Sequence, residues 1–265
     1  MIASGPLPSD ALIEIGEMMG YPGFGVLLAR LADHRGLSLG DLSRLVKVPE
    51  VVVQEVGDGA EPSPSLLLRL APALGWRDVD LFVLAGMPAP DDLAPLDADA
   101  GSWAASLINQ ATWLPPERID ELRQRAQSLP QHPRIRPFPP PRPYEQYEPS
   151  FGAAILRMLA NRNLKWVNTA KCLLCLTGLG LAGSTIGQIG RGVKPLSPDL
   201  LARLATVLGI PADDLAAVTG ISLPDNPPPT HPAATELAGL IWDVRRLTSD
   251  QVRCLRDDAE SLRSE

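Results

Sequence analysis

The chain repeats itself, and this internal repeat limits its possible folds more than any other feature of the sequence. Three segments match later ones, in the pairs 24–32 with 151–160, 63–86 with 197–220, and 106–129 with 239–262. A tandem duplication is the simplest account of these matches. Each copy consists of an apolar unit followed by a segment that reads as two helices, the second of them charged and amphipathic.

The residue pattern within each copy predicts helix and requires no strand. Leu27, Leu28 and Leu31 have helical spacing, and β-branched runs are scarce apart from Val51–Val53. We therefore predict an all-α protein, with four or five short helices in each apolar unit. Serines before helices and glycines after them mark the predicted ends, with caps at Ser38 and Ser65 and stops at Gly36, Gly59, Gly75 and Gly86.

A proline-rich stretch, PQHPRIRPFPPPRPYEQYEPS, separates the two copies at residues 130–150. Its proline density forbids helix and favours an extended, polyproline-like spacer. At about 3.1 Å per residue such a spacer spans roughly 60 Å. We interpret it as a semi-rigid linker, and recognition by an SH3-like module is the alternative.

The first apolar unit resembles the Cro/C1-type (XRE) helix-turn-helix domain, and the second resembles it again. In the first copy the resemblance rests on Leu37, Leu42, Val48, Val56, Gly59, Pro62, Leu67, Leu70, Ala71, Leu74, Gly75 and Leu81. In the second it rests on Leu164, Ala170, Ile186, Ile189, Gly192, Leu200, Leu204, Ala205, Leu208, Gly209 and Leu215. The duplicated arrangement is similar to that of actinobacterial regulators of this family.

The resemblance implies two lambda-repressor-like bundles, each followed by a helical hairpin and joined by the proline-rich linker. The expected segments are an N-terminal segment with a short helix (1–22), helix-turn-helix domain 1 (23–93), hairpin 1 (102–129), the linker (130–150), domain 2 (151–224) and hairpin 2 (232–265). In this family the second helix of the motif lies in the DNA major groove.

The two copies differ in charge, although the whole chain carries a net charge of −7. Residues 151–194 contain no Asp or Glu and six basic residues: Arg157, Arg162, Lys165, Lys171, Arg191 and Lys194. Residues 24–60 instead carry five acids (Asp33, Asp41, Glu50, Glu55 and Asp58) against four basic residues (Arg30, Arg35, Arg44 and Lys47). Because affinity for DNA comes largely from neutralising phosphates, copy two is the predicted DNA reader.

The family pattern assigns roles to six residues of copy two. Ser184, Thr185 and Gln188 are expected on the exposed face of the reading helix, where they hydrogen-bond base edges or nearby phosphates. Lys165, Arg191 and Lys194 are the expected phosphate contacts. The turn TGLGLAG before the reading helix is longer than is usual in the family. Trp166 is expected to be a core residue, with contact to the DNA backbone as the alternative.

Other chemistries fit the sequence less well. The glycines in LTGLGLAGSTIGQIGRG (176–192) resemble a phosphate loop, but such a loop follows a strand and carries a lysine where Ser184 stands. Cys172 and Cys175 form a single C-x-x-C with no second ligand pair, so we expect buried thiols and no metal. The pairs Asp91–Asp92, Asp213–Asp214 and Asp257–Asp258 are expected at helix ends or on solvated faces.

These observations predict a sequence-specific DNA-binding transcription regulator that is not an enzyme and needs no cofactor. Its partner is double-stranded DNA, read by a homodimer or by the two copies as a pseudo-dimer; the acidic first copy favours the homodimer. The alternative is a protein-interaction module that keeps the fold without binding DNA, with domain 1 contacting the partner. The chain has no predicted membrane segment or secretion signal and few cysteines, so a cytoplasmic location is expected.

Overall fold

The computed structural model describes residues 21–132 and 142–263, and every regular element in these ranges is helical. The all-α prediction is thereby confirmed for this part of the chain. The sequence also predicts a short helix within residues 1–22. Residues 1–20 lie outside the described ranges, and residues 21 and 22 are not helical. In copy one the helices are α1 Phe24–His34, α2 Leu39–Val46, α3 Glu50–Gly57, α4 Pro64–Ala73, α5 Asp78–Leu84, α6 Ala100–Ala111 and α7 Pro116–Ser128. In copy two they are α8 Phe151–Ala160, α9 Trp166–Thr177, α10 Gly183–Gly190, α11 Pro198–Leu208, α12 Ala212–Thr219, α13 Ala234–Val244 and α14 Ser249–Leu262, after a 3-10 turn at Pro143–Glu145.

Local sequence explains where several of these helices begin and end. Ser38 caps α2 in a reciprocal capping box with Asp41, as predicted for this serine. The predicted cap at Ser65 is wrong, because the side chain of Ser63 accepts the Leu66 backbone N–H and Pro64 occupies the first helical position. Ser197 caps α11 in the same way at the matching place in copy two. Each predicted glycine stop has a positive φ: Gly36, Gly59, Gly75 and Gly86.

The two apolar units pack directly against each other in a reciprocal arrangement. The first helix of copy one, α1, packs on the fifth helix of copy two, α12, while α5 of copy one packs on α8, the first helix of copy two. Such an exchange of equivalent surfaces is the pattern of a two-fold axis, here within one chain. The proline-rich linker therefore does not hold the two units apart.

Two ion pairs between the copies repeat this symmetry, one fully buried and one partly exposed. Arg162 forms two bonds of 2.8 Å with the carboxylate of Asp80, and both side chains are fully buried. Arg35 and Asp214 stand at the matching positions of the repeat, and they pair at 2.7 Å. Arg162 also donates to the carbonyls of Leu208 and Met158, so its charge is well satisfied.

These pairs correct two expectations drawn from the sequence. Arg162 is not part of an exposed basic surface, since it lies inside the interface between the copies. Asp214 is not a solvated residue either: it is buried and accepts a second bond of 2.9 Å from the indole N–H of Trp76. Charge counted along the sequence therefore overstates the cations that copy two presents to a partner.

The four helices that follow the two apolar units, predicted as two hairpins, form a second reciprocal layer. In this layer α6 packs on α14, and α7 packs on α13. The layer contacts the apolar unit of copy two, where α6 packs on α9 and α13 packs on α11. Ser249 at the start of α14 donates backbone and hydroxyl bonds of 2.8 and 2.6 Å to Asp97, which lies just before α6. Arg123 of α7 pairs with Asp243 of α13 at 2.9 Å. The predicted hairpins are therefore wrong in their pairing: each of these helices packs on helices of the other copy and not on its own neighbour in sequence.

Replacing Arg162 by Ala is expected to lower the free energy of unfolding by about 3 to 5 kcal/mol, because Asp80 then remains as an unpaired buried charge. Urea unfolding followed by circular dichroism measures this loss. Arg35→Ala, at the matching position, is expected to cost less because its partly exposed guanidinium lets water reach the vacated site.

Two controls make this test specific. The apolar double variant Asp80→Leu/Arg162→Met is expected to regain much of the lost stability, since no buried charge remains. Arg253→Ala removes an exposed ion pair with Asp250 and is expected to leave the unfolding midpoint unchanged. Equal midpoints for Arg162→Ala and the wild type would contradict the role of the buried pair.

Candidate nucleic-acid interface

The six predicted contact residues lie on and around α10. Ser184, Thr185 and Gln188 belong to α10 itself. Arg191 is the residue at its C-terminal end, and Lys194 follows in the next turn. Lys165 is the residue that precedes α9, the helix packed against α10. The structure therefore places four of the six in or at the end of one helix and the other two on adjoining segments.

The side chains of these residues differ in exposure. Ser184, Lys165 and Arg191 are exposed, whereas Thr185, Gln188 and Lys194 are half-buried. The opposite face of α10 is anchored by Ile186 and Ile189, which lie in the core. The helix is therefore fixed to the domain by its apolar face while the N-terminal polar face remains at the surface.

The glycines of α10 allow close packing on this helix. A Cβ atom on Gly187 would lie 2.6 Å from the ring of Trp166, and one on Gly190 would lie 2.7 Å from the ring of Tyr147. The indole N–H of Trp166 donates a 2.6 Å bond to the hydroxyl of Tyr147. Glycine is thus required here so that two aromatic rings can reach the helix backbone.

The secondary structure around the glycine-rich stretch rules out a phosphate loop there. The glycine-rich stretch connects α9, which ends at Thr177, to α10, which begins at Gly183. A helix therefore precedes it, where a phosphate loop requires a strand. Gly178 has φ 69° and ends α9 in the left-handed conformation.

Sequence reasoning missed the aromatic cluster beside α10. Tyr144 packs edge-on against Trp166 with the ring centres 5.2 Å apart, and the guanidinium carbon of Arg191 lies 5.6 Å from the centre of the same indole. Trp166 is half-buried, so it is neither a full core residue nor freely exposed. The only sequence signal was the pair of tyrosines at the end of a proline-rich linker.

Copy two carries exposed cations, but fewer than the six counted from the sequence. Arg157, Lys165, Lys171 and Arg191 are exposed, and within residues 21–132 and 142–263 none has a carboxylate within 4 Å. The end of the linker adds negative charge at the edge, since Glu148 lines the same depression as Arg191. Uncompensated cations next to a polar helix face are suited to contact phosphates.

The equivalent helix of copy one presents a different surface. On α3, Glu50, Gln54 and Glu55 are exposed, and Val51 is 60% exposed. Leu45 of α2 is 56% exposed. An acidic surface with exposed aliphatic side chains repels phosphate and favours contact with protein.

The burial of Cys172 and, in part, of Cys175 favours a structural role for these two cysteines. Cys172 is fully buried, and burial raises the pKa of its thiol. Cys175 is half-buried, and burial raises its pKa as well. No group of three or more His, Cys, Asp or Glu side chains suited to a metal ion occurs in the described part of the chain. The C-x-x-C spacing is that of two residues one helical turn apart on α9.

Comparisons with known proteins found no family model, no curated protein and no solved structure that matches this chain. Within the ranges that the structure describes, none of the helices has both the length and the apolar character needed to cross a membrane.

Gly187→Ala is expected to destabilise the protein by about 1 to 3 kcal/mol, although alanine normally favours helix, because its methyl group would overlap the Trp166 ring. Thermal unfolding measures the change. Gly40→Ala is the matched control: a Cβ atom at this helical glycine would meet the flexible end of Glu50 and, at 3.6 Å, the Ser38 hydroxyl, so unchanged or slightly higher stability is expected. A Gly187→Ala protein as stable as the wild type would contradict the close packing.

Thiol accessibility provides a separate test. With iodoacetamide on the native protein, Cys254 is expected to react first because it is exposed, and Cys172 only after unfolding in urea. Peptide mass spectrometry identifies the modified residue. Alkylation of native Cys172 at the rate of Cys254 would show that α9 does not bury this thiol.

Proposed function

We propose that the protein is a DNA-binding transcription regulator, without catalytic activity, that reads DNA mainly through copy two. The observation that carries the proposal is the polar face of α10, on which Ser184 is exposed, flanked by Lys165 and Arg191, which have no carboxylate within 4 Å among the described residues. A helix anchored by one apolar face and open on the other can enter a major groove without unfolding its domain. A cytoplasmic location is part of this proposal.

The proposed contacts follow from chemistry and position. Ser184 and Thr185, at the start of α10, supply hydroxyl groups for base edges or the nearest phosphates, and the Gln188 amide can donate and accept on one base. Lys165, Arg191 and Lys194 contact phosphates on either side of the groove. Phosphate contacts set the register, and the three polar residues of α10 supply the sequence preference.

The reciprocal packing of the copies bears on how many chains act together. Helix-turn-helix proteins of this kind usually bind two half-sites about one helical turn apart. Because α1 packs on α12 and α5 on α8, one chain already contains a two-fold pair of units. This contact favours a pseudo-dimer of tandem copies over a homodimer, with the acidic copy one contributing little to affinity.

Titrating a fluorescent mixture of genomic DNA fragments with protein at increasing salt tests the proposal. We expect log K to fall linearly with log salt, and Arg191→Ala or Lys165→Ala to reduce that slope by about 1 each. Arg253→Ala, an exposed arginine on α14, is the matched control and should leave the slope unchanged. Absence of binding at low salt would reject the proposal.

Sequence preference is tested separately. Genome-wide recovery of bound DNA is compared between the wild type and a Gln188→Ala/Arg191→Ala variant, and the variant is expected to lose the preferred sites while retaining weak general binding. Equal recovery of the same sites by both proteins would remove the assignments on α10.

The exposed aliphatic and acidic surface of copy one favours a second candidate, a protein-interaction module. Val51 and Leu45 offer apolar area, and Glu50 and Glu55 surround it with negative charge. If this function is the main one, the protein copurifies with a stoichiometric partner, Val51→Asp abolishes that association, and DNA binding at low salt is absent. Val51→Asp is not expected to affect folding because the side chain is mostly in water.

A further inference from the structure

A cavity of about 720 Å³ opens where three segments of the chain meet. They are the connector that follows α5, the end of the linker at residues 142–147, and the corner between α8 and α9. Its volume is within the range of small-molecule sites, about 300 to 1,000 Å³. Among the six proposed DNA contacts, Lys165 alone lines this space.

The walls of the cavity are mainly apolar and partly aromatic. Side chains of Val83, Met87, Leu156, Leu164 and Ile186 line it, together with the rings of Tyr147 and Trp166. Met87 has a flexible side chain that adapts to an irregular ligand. Aromatic walls favour a flat ligand, because rings stack on or against each other at low entropic cost.

The charged groups at this cavity favour an anion. Three cations line it, Arg142, Arg157 and Lys165, against the two carboxylates of Asp91 and Glu145. Arg157 and Lys165 belong to the α8–α9 corner and have no carboxylate within 4 Å among the described residues. Lys165 is the residue before α9, and no side chain caps the N–H groups in the first turn of that helix. The positive end of the helix dipole therefore adds to the attraction for negative charge.

We propose that this cavity binds a small aromatic carboxylate, with the ring between Trp166, Tyr147 and the aliphatic wall and the carboxylate at Arg157 and Lys165. The charge of the ligand is set by Arg157 and Lys165, and its flat apolar body by the composition of the walls. The ligand binds non-covalently, so no further reactant is involved.

Ligand binding is connected to α10 by two contacts. Ile186 of α10 lines the cavity, and the Trp166 ring that lines it also lies against Gly187. In addition, Lys165 is shared with the proposed phosphate contacts, so a bound carboxylate neutralises a charge that DNA uses. The ligand therefore weakens DNA binding, and DNA weakens ligand binding by the same factor. This regulatory effect rests on the proposed function, whereas the site itself does not.

The site is tested first without DNA, by isothermal titration calorimetry of the full-length protein with 2-naphthoate and with the neutral 2-naphthalenemethanol. Naphthoate is expected to bind about tenfold more tightly, since only it carries the charge that Arg157 and Lys165 attract. Arg157→Gln is expected to reduce this preference while retaining the neutral compound. No binding of either compound, or equal affinity for both in the wild type, overturns the proposal.

A filling variant tests the location. Ala160 lines the cavity and is exposed, so Ala160→Phe occupies the space without removing a core contact, and it is expected to abolish naphthoate binding. Ala60→Phe, at an exposed alanine outside the cavity, is the matched control and should bind as the wild type does. Unfolding midpoints verify that both variants are folded. Undiminished binding by a folded Ala160→Phe protein overturns the location.

The effect on DNA is measured last, with the fluorescent-fragment titration at saturating naphthoate. We expect DNA affinity to fall about fivefold to tenfold in the wild type and to remain unchanged in Ala160→Phe. Naphthoate binding by a protein that binds no DNA supports the site and rejects the proposed function. Unchanged DNA affinity in a protein that binds both overturns the regulatory effect.

Discussion

The buried pair of Arg162 and Asp80 is the interaction on which the rest of the arrangement depends. Burying two charges is costly, and the cost is offset only when both are fully hydrogen-bonded. Arg162 makes four such bonds, two to Asp80 and two to backbone carbonyls, and these bonds hold α5 against the end of α8. The matching pair of Arg35 and Asp214 fixes α1 against α12. The orientation of the two copies, and hence of every surface on them, follows from these contacts.

Much of the fold could be predicted from the sequence because it is encoded locally. The spacing of leucines gave the helices, the glycines gave their ends, and the self-match gave the repeat. The buried ion pairs could not be predicted in this way, since the burial of Arg162 depends on a residue 82 positions away. The cap at Ser63 was missed because two serines flank Pro64 and only the helix start distinguishes them.

The candidate site was predicted in part. The positions of Ser184 and Gln188 on a helix follow from periodicity. The two buried isoleucines on the opposite face leave Ser184 exposed and Gln188 half-buried. The contribution of the linker was not foreseen, because Tyr147 reaches α10 only through tertiary packing with Trp166. Composition suggested a spacer, whereas the described end of the linker is part of the domain surface. The cavity beside it arises from the same packing.

The joining of both copies in one chain has a consequence for their evolution. Pairing within a polypeptide is independent of dilution, because the effective concentration of one unit near the other is set by the tether and the contacts. In a homodimer every substitution appears in both halves at once, because both are the same chain. In a covalent pair a substitution can change one half alone. The acids on α3 and the cations around α10 are a difference of this kind between the two halves. Two units in one chain can thus carry different faces while the contacts between them hold a single mutual orientation.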